Sequence, residues 1–314
     1  MEFRIYPLTD TSRLPEVCAL FAKGLGETSP QEWLWRNFTD NGLPNGIVSV
    51  AEDENGIFRA VFGMQPVIYR REQEQKILVQ TQGLVIDPEC RGQGLMRKIF
   101  QFNADYFRAQ GAEALTSFSC NDLSYPIFMK YGARDLGALG GICTGKRLLP
   151  RHARRNWSQN GWQIQIQEEI PSDLCFYPGK KCFKMEKNLR FMQWKFVEDP
   201  NQRYQWLTIC RDGKLEGYCA FYVNRGRLRS AVNICDWELQ PTLPNEILKK
   251  AVELLHSLGN WVHLWGMLSP EDLTRWQKAG LIRPSTNTER FVFFPLTDRE
   301  IPADWSITKA DSDC

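Results

Sequence analysis

The chain has 314 residues, which is long for one domain and sufficient for two. A formal charge of +2 and a pI near 8.0 give no indication of nucleic acid binding, and no DNA partner is expected. No apolar run approaches a membrane span, and the start of the chain lacks the layout of a secretion signal, so a cytoplasmic location is expected. Ten cysteines without a Cys-x-x-Cys pair and only three histidines predict reduced thiols and no metal site.

The predicted elements of the first half follow the order strand, hairpin, strand, helix, strand, helix. A strand at 46–51 and a second strand at 59–63 flank a turn at 54–56, and a further strand leads to Ile86. A helix begins at Leu95, and its apolar stripe is typical of a helix that covers one face of a sheet.

The segment between that strand and that helix carries the strongest signal. The strand ends at Asp87-Pro88, and Arg91-Gly92-Gln93-Gly94 precedes the helix directly. Two glycines allow a tight turn with uncovered N–H groups, and the helix N-terminus adds further donors and a positive dipole end. Together with the charges of Arg91 and Arg97, this predicts a pyrophosphate site.

The glycine spacing separates this loop from two other phosphate loops. A Gly-x-x-x-x-Gly-Lys-Ser/Thr string is absent, and Arg97 stands where a dinucleotide fingerprint would have its third glycine. The string from Arg91 to Met96 instead resembles the acyl-coenzyme A loop of the GNAT acyltransferase superfamily, Gln/Arg-x-x-Gly-x-Gly/Ala. Met96 departs from that pattern, because the family has a small residue there.

An internal repeat is the second signal. Four short strings of the first half recur in the same order in the second, beginning with Trp35 and Trp194, and the offset shrinks steadily along the chain. The second half has Glu238-Leu-Gln-Pro-Thr-Leu-Pro-Asn where the first has its glycine loop, and proline lacks the backbone donor. We therefore predict a GNAT-like domain at 1–145, a basic linker at 146–165 and a degenerate GNAT-like domain without a coenzyme loop at 166–314.

The resemblance implies an α/β (α+β) fold of two tandem GNAT-like domains, each with a mixed, mostly antiparallel sheet flanked by helices. It implies acetyl-CoA or another acyl-CoA as co-substrate, without a metal. The backbone of Leu84, Val85 and Ile86 would hold the pantetheine. The loop residues would hold the pyrophosphate: Arg91, Gly92, Gln93, Gly94, Leu95, Met96 and Arg97.

The same resemblance assigns catalytic candidates and leaves the general base open. Gln80 and Gln82 stand where the family often has a carboxylate base, and glutamine takes up no proton at neutral pH. Phe128 falls on the place of the family's acid tyrosine, so Tyr125 is the predicted substitute and Tyr131 a weaker one. The alternative for Tyr125 is a residue that caps the core with its hydroxyl in solvent.

Two further residues are predicted to contact the coenzyme. Asn121, which is also a catalytic candidate, resembles the family asparagine that holds a water or the pantetheine amide, and its alternative is a turn or N-cap residue. Ser124 lies in the string that leads into the last helix.

These features predict an N-acyltransferase whose acceptor is a primary amine of a small molecule, sugar or peptide, which attacks the thioester directly. One alternative is a non-catalytic acyl-CoA sensor or scaffold, and another is a transferase that uses aminoacyl-tRNA or an acyl carrier protein.

The basic stretch at 146–155 is a solvated linker or a docking patch for an acidic partner. The tail beyond Pro295 is expected to be loosely ordered. Acceptor, acyl length and oligomeric state stay open.

Overall fold

The computed structural model describes residues 2–120, 124–145, 154–176, 179–226, 229–284 and 289–312. Two mixed sheets flanked by helices make up the molecule, which confirms the predicted fold class. Strand pairing is antiparallel throughout the described strands except in three pairs, each defined below.

The helices are α1 (Leu14–Ala22), α2 (Pro30–Phe38), α3 (Leu95–Arg108), α4 (Tyr125–Lys130), α5 (Leu189–Phe196), α6 (Asn245–Leu255) and α7 (Pro270–Lys278). The strands up to residue 167 are β1 (Arg4–Pro7), β2 (Ile47–Glu52), β3 (Phe58–Arg71), β4 (Glu74–Ile86), β5 (Ala114–Cys120), β6 (Arg134–Ala138), β7 (Ile142–Gly145), β8 (Asn156–Gln159) and β9 (Trp162–Gln167). The later strands are β10 (Phe183–Met185), β11 (Gln205–Arg211), β12 (Lys214–Arg225), β13 (Ser230–Leu239), β14 (Trp261–Leu264), β15 (Gly266–Met267), β16 (Arg283–Pro284), β17 (Arg290–Pro295) and β18 (Trp305–Thr308).

Local sequence chemistry explains where several helices begin. The Ser29 hydroxyl accepts a hydrogen bond from the Glu32 amide at the start of α2, and Asn188 accepts one from the Phe191 amide at the start of α5. Proline occupies the first turn of α2, where its missing donor costs no helical hydrogen bond. Along α3, the buried positions recur at helical spacing and face the first sheet.

The two sheets exchange strands unequally, since the first contains β10, β15, β17 and β18 from the second half and the second contains β7 from the first half. The first sheet has the order β15-β18-β10-β3-β4-β5-β17-β6, with β2 and β1 paired beyond β3. The second has the order β16-β7-β14-β13-β12-β11-β9-β8. Strand β17 from the second half therefore lies between β5 and β6, and β7 from the first half lies between β14 and β16.

This exchange of strands concerns the predicted domains. Their boundaries along the chain stay a prediction. Neither sheet is built from one segment alone, since each contains at least one strand from the opposite half. The hairpin β8–β9 also begins inside the predicted linker, and it pairs with β11 at the edge of the second sheet. Residues 146–153 of that linker lie outside the described residues.

The parallel pairs β4–β5 and β13–β14 both separate partway along their length. Strands β4 and β5 pair only from Leu78 to Gln80, and β13 and β14 only from Ala231 to Ile234. A bulge follows each pairing, at Gly83 in β4 and at Cys235 in β13. We call the openings beyond these pairings the β4–β5 gap and the β13–β14 gap.

The expectation of a loosely ordered tail is wrong for residues 305–312. Strand β18 pairs in parallel with β10 and antiparallel with β15, and a short 3-10 turn follows at Lys309–Asp311. The side chains of Trp305 and Ile307 are fully buried in the larger core. Apolar residues at alternate positions thus tie this segment into the sheet despite its polar composition.

A reciprocal tryptophan pair joins the repeated elements. The Trp35 indole nitrogen donates to the Trp194 carbonyl at 3.2 Å, and the Trp194 indole nitrogen donates to the Trp35 carbonyl at 2.9 Å. The two rings stack with centroids 4.8 Å apart and planes 20° apart. These residues are the first matching pair of the sequence repeat, and they occupy α2 and α5 in equivalent roles.

Replacing either tryptophan by phenylalanine keeps a ring in the stack and removes one of the two donors. A buried carbonyl then loses its partner, so Trp35→Phe and Trp194→Phe should each lower the free energy of unfolding by about 1–3 kcal/mol. Equilibrium denaturation in urea measures this. The control Trp157→Phe, half-buried on β8, should change it by less than about 0.5 kcal/mol. Equal losses at all three sites would contradict a specific role for the paired hydrogen bonds.

Candidate active site

The loop between β4 and α3, residues 87–94, presents exposed backbone at a helix N-terminus. Gly92 and Gly94 have φ values of +77° and +76°, a region that side chains disfavour, and a Cβ at either would meet open space. Gly94 is the N-cap of α3, and no side chain caps this end in the described part of the chain. The first-turn amides of α3 are therefore available to an anion.

The buried side chain of Asp87 anchors this loop through hydrogen bonds. Its side chain is 1 % exposed and accepts hydrogen bonds from the Glu89 amide at 3.1 Å, Lys23 at 3.0 Å and Arg59 at 3.1 Å. Burial alone would raise the pKa of Asp87, but these donors lower it below the ordinary value. Asp53 holds the same arginine at 2.8 Å, so the base of the loop is fixed by two buried carboxylates.

The β4–β5 gap continues from this loop. Leu84, Val85 and Ile86 pair with β3 on one side, and among the described strands none pairs with their other edge. An unpaired strand edge offers N–H and C=O groups to an extended amide ligand. Gly83 has a φ of +53°, and a Cβ there would lie 2.6 Å from the Phe21 ring, so this bend requires glycine.

Gln80 and Gln82 are both buried beside the gap, with different surroundings. The Gln80 side-chain amide donates to the Asp311 carbonyl at 2.7 Å. The Gln82 side chain is 2 % exposed, and its nitrogen and oxygen find no hydrogen-bond partner within the described residues. An unsatisfied buried amide is costly, which makes Gln82 a candidate for contact with a bound ligand.

Tyr125 lies at the start of α4 in a polar cluster. Its hydroxyl donates to Asp135 at 2.8 Å, and Arg290 donates to the same carboxylate at 2.6 Å. The hydrogen bond to Asp135 raises the pKa of the Tyr125 phenol. The role of Tyr125 as the acid stays a prediction. In this arrangement its hydroxyl donates its hydrogen bond to Asp135.

The remaining predicted residues lie in different surroundings. Arg91, Gln93 and Arg97 are exposed around the glycine loop, where Gln93 donates to the Glu89 carbonyl at 3.0 Å, while Leu95 packs into the core and Met96 is half-buried. The Ser124 hydroxyl lies 3.5 Å from the Cys120 sulfur. Asn121 lies outside the described residues. Phe128, in place of the family tyrosine, is buried against Phe294.

Sequence reasoning missed two neighbours of the site. Asp135 lies ten residues after Tyr125 on another element, and nothing in the string around either residue signals the contact. Asp311 comes from the tail, and its backbone reaches Gln80 only because β18 enters the first sheet. Both contacts depend on tertiary structure.

The equivalent place in the second half is built differently. The N-cap of α6 is Pro244, and the preceding turn contains no glycine. In the β13–β14 gap, β18 pairs with β15, which continues the path of β14, and β18 contacts β13. The protein's own chain thus occupies this position.

Comparison with known proteins places this arrangement among solved folds. No family model matches the sequence, and no curated protein matches it significantly. A probable N-acyltransferase from Enterococcus faecalis superposes with a TM-score of 0.68 at 12 % identity, over 94 % of this chain and 73 % of that one. A tandem GNAT protein from the clavulanic acid biosynthesis pathway superposes with 0.59 at 11 % identity, over 95 % and 100 %. The chain has a tandem GNAT-type fold.

A further solved structure extends this likeness to a protein with a bound acyl-coenzyme A. The N-myristoyltransferase of Saccharomyces cerevisiae, solved with myristoyl-CoA, superposes with a TM-score of 0.60 at 10 % identity, over 99 % of this chain and 88 % of that one. Within the GNAT-type fold of this chain, the glycine loop and the open strand edge both belong to the first half. No helix in the described ranges is long and apolar enough to cross a bilayer. Within the same ranges, no group of three acidic, histidine or cysteine side chains could hold a metal ion.

Asp87→Asn tests the anchor of the loop. The variant should lower the free energy of unfolding near neutral pH by about 1.5–3 kcal/mol, because it weakens hydrogen bonds to two cations. A lowered folded-state pKa stabilises the fold above the unfolded-state pKa of about 3.9, and this stabilisation is lost as pH falls through the folded value. The difference from wild type, measured by urea denaturation across pH, should therefore shrink below about pH 4.

Asp298→Asn is the matched control, because this aspartate is exposed. It should leave the free energy of unfolding within about 0.5 kcal/mol of wild type at every pH. A difference for Asp87→Asn that grows as pH falls would contradict the proposed anchoring.

Proposed function

We propose that the protein is an N-acyltransferase that moves an acetyl or longer acyl group from a coenzyme A thioester to a primary amine. The acceptor class is a small molecule, sugar or peptide. The observation that carries the proposal is the uncapped, glycine-turned N-terminus of α3 next to the open edge of β4. The helix N-terminus supplies donors for a pyrophosphate, and the strand edge supplies donors and acceptors for pantetheine amides.

In this proposal the coenzyme binds along the first half. Backbone N–H groups from Gly92 to Arg97 hold the pyrophosphate, and the exposed side chains of Arg91 and Arg97 add positive charge. The β4 edge from Leu84 to Ile86 orients the pantetheine so that the thioester enters the β4–β5 gap. The solved GNAT structures and the myristoyl-CoA complex of the yeast enzyme support this assignment at the level of fold.

The chemistry is one displacement. The amine nitrogen attacks the thioester carbonyl carbon, the C–S bond breaks, and the coenzyme leaves as a thiolate while the amine loses one proton. In this proposal the Gln82 amide, which is buried without a partner in the described residues, positions the reacting groups by hydrogen bonding. Glutamine takes up no proton, so the base is another group or the amine arrives neutral.

Gly94→Asp tests the coenzyme site, with Gly111→Asp as a matched control. Both glycines have positive φ, of +76° and +83°, and both have open space around a built Cβ, so the backbone strain is similar. They flank opposite ends of α3, and only Gly94→Asp places a carboxylate at the phosphate donors. Calorimetry should show at least about tenfold weaker acetyl-CoA binding for Gly94→Asp, and near wild-type binding for Gly111→Asp.

The outcomes separate cleanly. Equal loss in both variants would indicate a general effect of strain and contradict the assigned loop. Absence of binding to acetyl-CoA, longer acyl-CoAs and free CoA by the wild-type protein would overturn the proposal.

Gln82→Met tests whether this residue serves a ligand rather than the fold. Removing an unsatisfied buried amide should leave the free energy of unfolding unchanged or raise it, while acyl transfer falls by about tenfold or more. The matched change Gln80→Met removes the bond to the Asp311 carbonyl and should destabilise by about 1 kcal/mol. Denaturation and thiol release report the two effects; a destabilised Gln82→Met with normal transfer would refute the assignment.

An acyl-CoA sensor is the second candidate. It is favoured by the engagement of the Tyr125 hydroxyl with Asp135 and by the glutamines at the positions of the expected base. A transferase releases free thiol from acetyl-CoA when an amine acceptor is added, and a sensor that binds the same coenzyme does not.

A further inference from the structure

A second polar site lies where the two sheets meet, away from the glycine loop. A cavity of about 290 Å³ opens between β10, β13 and β18, and we call it the seam cavity. This volume is at the lower end of small-molecule sites, about 300 Å³. Its apolar walls are Phe176, Met185 and Trp237.

A cluster of five charged side chains lies in and behind the wall of the seam cavity. Lys187 contacts Asp236 at 2.5 Å and Asp311 at 2.7 Å, and Lys184 contacts Glu238 at 2.6 Å. These five side chains together carry one negative charge in excess, and Asp236, which does not line the cavity, lies behind Lys187. At the rim, Arg70 and Glu186 pair at 2.8 Å and cancel.

Buried excess charge is costly, and a bound cation would relieve it. The same effect acts on Glu238: burial raises the pKa of its carboxyl although Lys184 opposes the shift. The Glu238 carboxylate therefore gains most from a positive group in the cavity.

An unsatisfied hydroxyl points to a bound ligand. The Ser306 side chain is 2 % exposed, lines the cavity, and finds no hydrogen-bond partner in the described part of the chain. Buried hydroxyls are nearly always bonded, so a polar group is missing beside it. An ammonium group offers three donors, which suits both this hydroxyl and a carboxylate oxygen.

We propose that the seam cavity binds a ligand with a primary ammonium group on a short apolar chain, held by Glu238 and Ser306. The apolar walls take the carbon chain, and the excess negative charge takes the ammonium. Asp311 connects this site to the first half, because its side chain lines the cavity and its backbone carbonyl accepts from Gln80 beside the β4–β5 gap. The ligand is then the acceptor amine, and this last step alone rests on the proposed function.

Direct binding tests the proposal without turnover. Calorimetry on the full chain compares n-butylammonium and phenethylammonium with their neutral counterparts, n-butanol and 2-phenylethanol. The ammonium compounds should bind at least about tenfold more tightly, because a charge-assisted hydrogen bond replaces a neutral one. Equal affinity for amine and alcohol, or no binding of either amine, would overturn the proposal.

Two variants locate the binding. Ser306→Ala should weaken n-butylammonium binding about threefold to tenfold while leaving the free energy of unfolding unchanged or higher, since its hydroxyl has no partner to lose. Glu238→Gln keeps an oxygen for Lys184 and should weaken binding at least tenfold. Their controls, Ser158→Ala and Glu246→Gln, are exposed and should bind as wild type. Unchanged binding in both cavity variants would place the amine elsewhere and overturn the proposal.

Acetyl-CoA binding, measured on the same samples, separates the two proposals. Coenzyme binding without amine binding overturns the seam cavity and leaves the transferase intact. Amine binding at the cavity without coenzyme binding overturns the proposed transferase and leaves the seam cavity as an amine site.

Discussion

The paired tryptophans at Trp35 and Trp194 hold equivalent helices of the two halves against each other. Each indole satisfies the other residue's carbonyl, and the rings stack between them. Because both indoles and both carbonyls are buried, this contact tolerates little sliding or rotation of one half against the other. The remaining contacts between the halves, including the exchanged strands and the seam cavity, depend on that fixed relation.

The two halves each contain a gap, and the contents of the two gaps differ. In the first half the gap lies beside an open strand edge and a glycine-turned helix start. In the second half, β18 and the turn after it contact β13, and a proline precedes α6. The first half therefore leaves backbone donors uncovered at its gap. The second half fills the equivalent place with its own chain. The tail that occupies the second gap also touches Gln80 in the first, so the two gaps share one element.

Sequence reasoning succeeded where the signal is local. The glycines of the string at 91–94 predicted a tight turn directly before a helix at Leu95, and the structure has that turn and that helix start. It failed for the tail, because its polar composition outweighed the alternation of Trp305 and Ile307. It also did not anticipate the strand exchange, since β7 and β17 are short and their partners depend on long-range pairing. The bond from Tyr125 to Asp135 required the fold as well.

The exchange of β7 and β17 has a consequence for how the protein is made. The place between β5 and β6 is filled by β17, which leaves the ribosome only after most of the second half. The first half therefore waits with two strand edges unpaired during synthesis, and these edges attract other chains. Closing the sheet late, across so long a stretch of chain, also slows folding. Expression of the first half as a separate polypeptide would leave this opening permanent.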